Sequence, residues 1–211
     1  MKKNIFVLLI ALILLAGCDK EPKEHSFTGM VKDQFLDKPV ANVKLDLQAQ
    51  VLQDNIFSVA YQTISTGYTD DLGRFQLNYG DNVYDEYRLI LNKDGYFYKT
   101  INLGNKLIND KIYTIAAKGV IKIHIKNINP YDENDFISIS WIIPNDAYFN
   151  SEINFPFIVN GLDVDLFLVC NVNAYAPYIL VANWKHNAIE IIRSDTITPL
   201  FNDTTYYDLF Y

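Results

Sequence analysis

Cysteine is almost absent from this chain, with two in 211 residues, Cys18 and Cys170. A disulfide framework is excluded, so stability has to come from packing. Histidine is nearly as scarce: His25, His124 and His186 are scattered. None has the i, i+4 or Cys-x-x-Cys context of a zinc site, and no His-x-x-Glu pair of a zinc carboxypeptidase occurs. A Gly-x-Ser-x-Gly elbow and a glycine-rich phosphate loop are also missing. These gaps lead us to expect no catalytic residues, no metal site, no cofactor and no enzymatic activity. Positive charge is in deficit, 18 Lys and Arg against 25 Asp and Glu, for a net charge of −7. No basic stripe survives that balance, which argues against nucleic-acid binding and against electrostatic docking on anionic lipid. No apolar run reaches the roughly 20 residues of a membrane-spanning helix. No amphipathic helix of convincing length is visible either.

What is present begins with a leader. Lys2 and Lys3 precede an unbroken apolar run, Ile5 to Ala16, of secretory rather than membrane-spanning length. Small residues follow, and then Cys18. Leu15-Ala16-Gly17-Cys18 resembles the lipobox of bacterial lipoproteins. The resemblance implies cleavage after residue 17, diacylglycerol on the Cys18 thiol and an acyl chain on its new amino group. Two or more chains make a stable anchor where one is marginal, at about 0.8 kcal/mol per buried methylene. An ordinary signal peptide with an incidental cysteine is the alternative. Loss of the two leader lysines takes the net charge from −7 to −9. With Cys18 acylated, Cys170 is the one thiol left and no intrachain disulfide can form. Residues 18–25 carry the lipidated cysteine and a polar, proline-containing tether, DKEPKEH. In some lipoprotein systems Asp after the cysteine retains the protein at the inner membrane; in others an acidic tag directs it to the outer face. Tag and composition together favour the cell surface of the outer membrane. A periplasm-facing or inner-membrane position is the alternative.

Half the residues are hydrophobic, and 15 Tyr and 13 Phe beside many Ile and Val favour β structure. From Val43 to Val51, apolar residues alternate with Lys44, Asp46, Gln48 and Gln50, the period of a strand with one buried face. Similar runs occur at Phe27–Val31, Phe57–Thr63, Arg74–Tyr79, Tyr87–Asn92 and Tyr96–Leu103. Turn signals separate them, among them Asp70-Asp71-Leu72-Gly73 and Lys93-Asp94-Gly95. Asp70 and Asp71 read as turn residues rather than calcium ligands, with Gly73 at positive φ. Gly29-x-Val31, Lys38-Pro39-Val40-x-x-Val43, Thr69-Asp70-x-x-Gly73-x-Phe75-x-Leu77, Tyr87-x-Leu89 and Lys93-x-Gly95-Tyr96 resemble the carboxypeptidase regulatory-like domain. That resemblance implies a non-catalytic, transthyretin-like (prealbumin-like) sandwich of seven strands over residues 26–117.

After Ala116-Ala117-Lys118 the period-two pattern restarts. Ile121, Ile123 and Ile125 alternate with Lys122, His124 and Lys126. Ile137 to Ile143, Val164 to Cys170, Ile179 to Trp184, Ile189 to Arg193 and Thr205 to Tyr211 complete a second, immunoglobulin-like sandwich over 118–211. The expected fold class is therefore all-β, two antiparallel β-sandwiches behind a leader of residues 1–17. Cys170 shares the phase of Leu166 and Leu168 and reads as a buried structural thiol. Asp132-Glu133-Asn134-Asp135 reads as a solvated hairpin loop, with a calcium or partner site as the sharper alternative. Trp141 and Trp184 follow inward phases. Tyr148, Phe149, Tyr175 and Tyr178 lie near prolines in loops and are candidates for ligand or partner contact. Asp195-Thr196-Ile197 and Asp203-Thr204-Thr205 resemble a bacterial O-glycosylation acceptor, which implies modification at Thr196 and Thr204. The expected function is a non-catalytic envelope lipoprotein that binds an unknown envelope protein or supports structure. A carbohydrate-binding accessory lipoprotein, its partner a glycan, is the alternative.

Overall fold

A computed structural model describes residues 23–53, 56–145, 147–151, 153–187 and 189–211. The leader, Cys18 and most of the tether lie outside the described residues. All regular elements among the described residues are strands. The first seven are β1 (His25–Asp33), β2 (Lys44–Gln53), β3 (Ile56–Tyr68), β4 (Arg74–Tyr79), β5 (Tyr84–Asn92), β6 (Lys99–Gly104) and β7 (Lys111–Ile115). Sheets β4-β1-β7 and β3-β2-β5-β6 face each other across a core of Phe27, Val31, Leu45, Leu47, Leu77, Leu89 and Ile115. The alternation into and along β2 explains why: Val43, Leu45, Leu47 and Ala49 are fully buried, while Lys44, Asp46 and Gln48 between them are half-buried on the opposite face.

The second group is β8 (Lys118–Lys126), β9 (Phe136–Ile142), β10 (Phe149–Ser151), β11 (Phe157–Asn160), β12 (Asp165–Asn173), β13 (Tyr178–His186), β14 (Ile189–Ile197) and β15 (Thr204–Phe210). Sheets β10-β12-β8-β15 and β11-β9-β13-β14 enclose a separate core around Ile121, Ile123, Ile125, Ile137, Leu168 and Tyr178. The described residues are thus all-β, two sandwiches in succession.

Neither sandwich is purely antiparallel. β7 runs parallel to β1, and β15 runs parallel to β8. In each case the last strand crosses from the opposite sheet, so it arrives beside the first strand in the same direction instead of folding back through a hairpin. The Thr69–Gly73 turn is built as expected. Asp70 accepts the amides of Leu72 and Arg74 at 2.9 and 2.8 Å, and Gly73 has φ +71°. A Cβ on Gly73 would stand 2.5 Å from the Val31 carbonyl oxygen, so only glycine fits. His25, assigned to the tether, instead opens β1: its ring stacks on Tyr79 and its Nε2 lies 2.9 Å from Asp81.

Candidate functional site at the junction of the two sandwiches

The connector 116–118 is short and fully engaged on both sides. Phe97 N donates to Ala116 O and Lys118 N to Gly95 O, at 2.9 and 2.8 Å. From the other half, Ala174 N reaches Ala117 O and Asn202 N reaches Lys118 O, both at 2.9 Å. Side chains add to this seam. Tyr96 packs on Phe201 with centroids 5.3 Å apart. Phe35, from the loop after β1, packs against the core of the second sandwich. That loop is aimed by Asp33, buried, whose Oδ1 accepts the amides of Phe35 and Leu36 at 2.9 Å.

The Phe97 and Tyr148 rings meet here, centroids 4.3 Å apart. They form a shared wall between two clefts of about 490 and 620 Å³. The first is bordered by Lys118, Asn150, Asn171, Asn202, Asp203 and Thr204. The Lys118 ammonium sits 5.7 Å over the Phe97 ring. Tyr148 is 43% exposed, but its backbone is clamped. Its amide donates to Asn173 Oδ1, and its carbonyl accepts the Tyr178 hydroxyl at 2.7 Å. Asn173 and Tyr178 are both fully buried. The Tyr178 hydroxyl also accepts the Asn173 backbone amide at 2.9 Å. Burial pushes its pKa up to about 12, the Asn173 hydrogen bond opposing in part.

The four candidate aromatics therefore separate. Tyr148 lies at the cleft. Tyr178 is corrected: it is the first residue of β13, in phase with Leu180 and Ala182, with no surface to offer a ligand. Phe149 is half-buried in β10, its ring against Trp141 and Tyr178. Tyr175 is half-buried with φ +65°, its amide held by Pro199 O at 2.8 Å. Thr196 is exposed on β14, and Thr204 is half-buried at the first cleft. Phe97 and Asn173 escaped the sequence reading; no local signal ties them to Tyr148, which is distant in the chain.

The other candidates also find places. Cys170 is fully buried, and burial pushes its thiol pKa up, a Ser151 hydrogen bond opposing; such a thiol is no nucleophile. Glu133 and Asn134 are solvated as expected, but Asp135 is only 1% exposed and corrects the reading of that loop. It accepts the Tyr131 amide at 2.8 Å and Asn127 Nδ2 at 3.3 Å, with His186 Nδ1 at 3.4 Å. Burial raises the Asp135 pKa, and these three partners together outweigh it and hold the carboxyl below its ordinary value. His124 lies far along β8, 2.8 Å from Asp165 and 3.5 Å from Asp208, stacked on Phe167.

No protein-family model matches the chain, and no curated protein matches it. Among solved structures, the chain is similar to the Bacillus anthracis TIE protein at 11% identity and TM-score 0.33. The match covers 89% of this chain and 33% of that one, so the chain spans a third of that protein's length. A mutant shaft pilin SpaA of Lactobacillus rhamnosus GG matches at 10% identity and TM-score 0.33, covering 89% and 97%. The minor pilin of Streptococcus agalactiae matches at 10% and 0.32, covering 88% and 94%. These likenesses carry no inference about activity.

Proposed function

We propose that the chain is a non-catalytic envelope lipoprotein, anchored by acyl chains on Cys18 and displayed at the cell surface, that acts by contact through the junction of its sandwiches. The observation that carries the contact surface is Tyr148: an exposed ring packed on Phe97, on a backbone clamped by a bracket of two fully buried side chains. A preorganised aromatic loses little conformational entropy when a partner covers it. The leader and the Leu15-Ala16-Gly17-Cys18 resemblance support the anchor, and the seven strands of the first half support a carboxypeptidase regulatory-like scaffold. O-glycosylation at Thr196, exposed on β14, belongs to the same surface setting, whereas Thr204 keeps its hydroxyl free at the first cleft.

A photoreactive phenylalanine analogue at position 148, in cells that carry the full-length protein, tests the contact. Illumination should give a covalent adduct, while the same analogue at Tyr68, 63% exposed on β3, should give none. Equal adduct formation at both positions, or none at 148, contradicts the proposal.

A further inference from the structure

We infer that the occupant of the junction is a carbohydrate, a neutral polyhydroxylated chain laid along the Phe97–Tyr148 wall; this rests on the contact surface proposed above. The lining of the first cleft sets the chemistry. Asn150, Asn171 and Asn202 present carboxamides, each with donors and an acceptor, and Thr204 presents a hydroxyl that is both. Among the described residues those three carboxamides have no hydrogen-bond partner in the protein, nor does the Lys118 ammonium. A hydroxyl is likewise donor and acceptor at once, so a ligand dense in hydroxyls is matched group for group. Lys118 and Asp203 face the same cleft and balance each other's charge, so no ionic group is required of the ligand. Asp203 Oδ1 is occupied by the Thr204 amide at 2.7 Å, which leaves Oδ2 to accept.

Recognition of an extended peptide by strand addition needs free backbone groups, and at this seam several are used. Val120 N donates to Asp203 O, Asn202 N to Lys118 O and Ala174 N to Ala117 O. What the clefts offer is side-chain amides, a hydroxyl and ring surface. The second cleft continues the pattern beyond Tyr148. Thr114 and Tyr98 border it, while Asn173, fully buried with its Oδ1 committed to the Tyr148 amide, fixes the wall from behind. Volumes of about 490 and 620 Å³ lie in the range of small-molecule sites.

The test is electrophoresis of the full-length protein through gels cast with soluble neutral polysaccharides: an α-glucan, a β-glucan, a mannan and a xylan. A polygalacturonate gel is the charged comparison. At least one neutral polymer should retard the protein. Tyr148→Ala and Asn171→Ala should each weaken that retardation at least tenfold with the folded state retained at the gel temperature, while Tyr68→Ala leaves it unchanged. Retardation by none of the neutral gels, by polygalacturonate alone, or undiminished in both variants overturns the inference. A protein adduct at position 148 with no retardation overturns the sugar and leaves the contact surface standing; no adduct at 148 removes the contact surface itself.

Discussion

The Tyr178 hydroxyl donates to the Tyr148 carbonyl and accepts the Asn173 amide inside a fully buried setting. Tyr178→Phe removes two hydrogen bonds, leaves these groups only their mutual contact at 3.2 Å, and should cost about 1–3 kcal/mol. Tyr178→Ala adds a cavity and should cost about 3–5 kcal/mol. Tyr148→Ala loses one ring contact and should stay within about 1.5 kcal/mol. Denaturant unfolding of the three variants ranks them, and a Tyr148→Ala more damaging than Tyr178→Phe would contradict the bracket. Asp135 makes a second residue-scale prediction. Its folded pKa lies below the ordinary value of about 3.9, so its stabilising effect is present above about pH 4. That effect is lost as pH falls through the folded pKa. Asp135→Asn should therefore show a shallower loss of stability below about pH 4 than the wild type. The loss should not vanish, because Asp165, held down by Lys126 and His124, and Asp195, held down by Tyr207 and Arg193, act in the same sense. An unchanged acid limb in Asp135→Asn would refute the assignment.

Strands with one face in a core were legible from alternation alone, as in β2 and β8, because each position reports which side it faces. β10 and β11, of three and four residues, are too short for a period to show, and β7 carries its phase on two buried residues, Tyr113 and Ile115. Tyr178 was readable: Tyr178-x-Leu180-x-Ala182 extends the inward phase of β13 by one step, and a strand begun at Ile179 misses it. The partnership of Tyr148 with Phe97, and the insertion of Phe35 into the other core, join residues far apart in the chain, and no local pattern encodes them. The parallel returns of β7 and β15 escape for the same reason. Phe35 also makes the junction testable. Its truncation to Ala should cost about 2 kcal/mol, below the range of a fully buried phenylalanine. The wild type should unfold in one transition, and with that staple gone it should separate into two, one for each core. A variant that still unfolds in one transition with unchanged midpoint would show that Phe35 does not couple the halves.

At the scale of the molecule, two hydrophobic cores are joined through a hydrogen-bonded seam. The surface carries no net positive charge to hold it at an anionic membrane. On the reading proposed above, anchoring falls to acyl chains on Cys18, of which two or more suffice. Cells that express the wild type or Cys18→Ser, fed radiolabelled palmitate and then shaved with protease while intact, report on the anchor and the surface together. The wild type should carry label, partition with membranes and lose its folded region to the protease. The Cys18→Ser variant should carry no label, and any material freed from the leader should be soluble. A Cys18→Ser chain that is cleaved normally and stays with the membrane, or a wild type that is protected in intact cells, would contradict a surface-displayed lipoprotein.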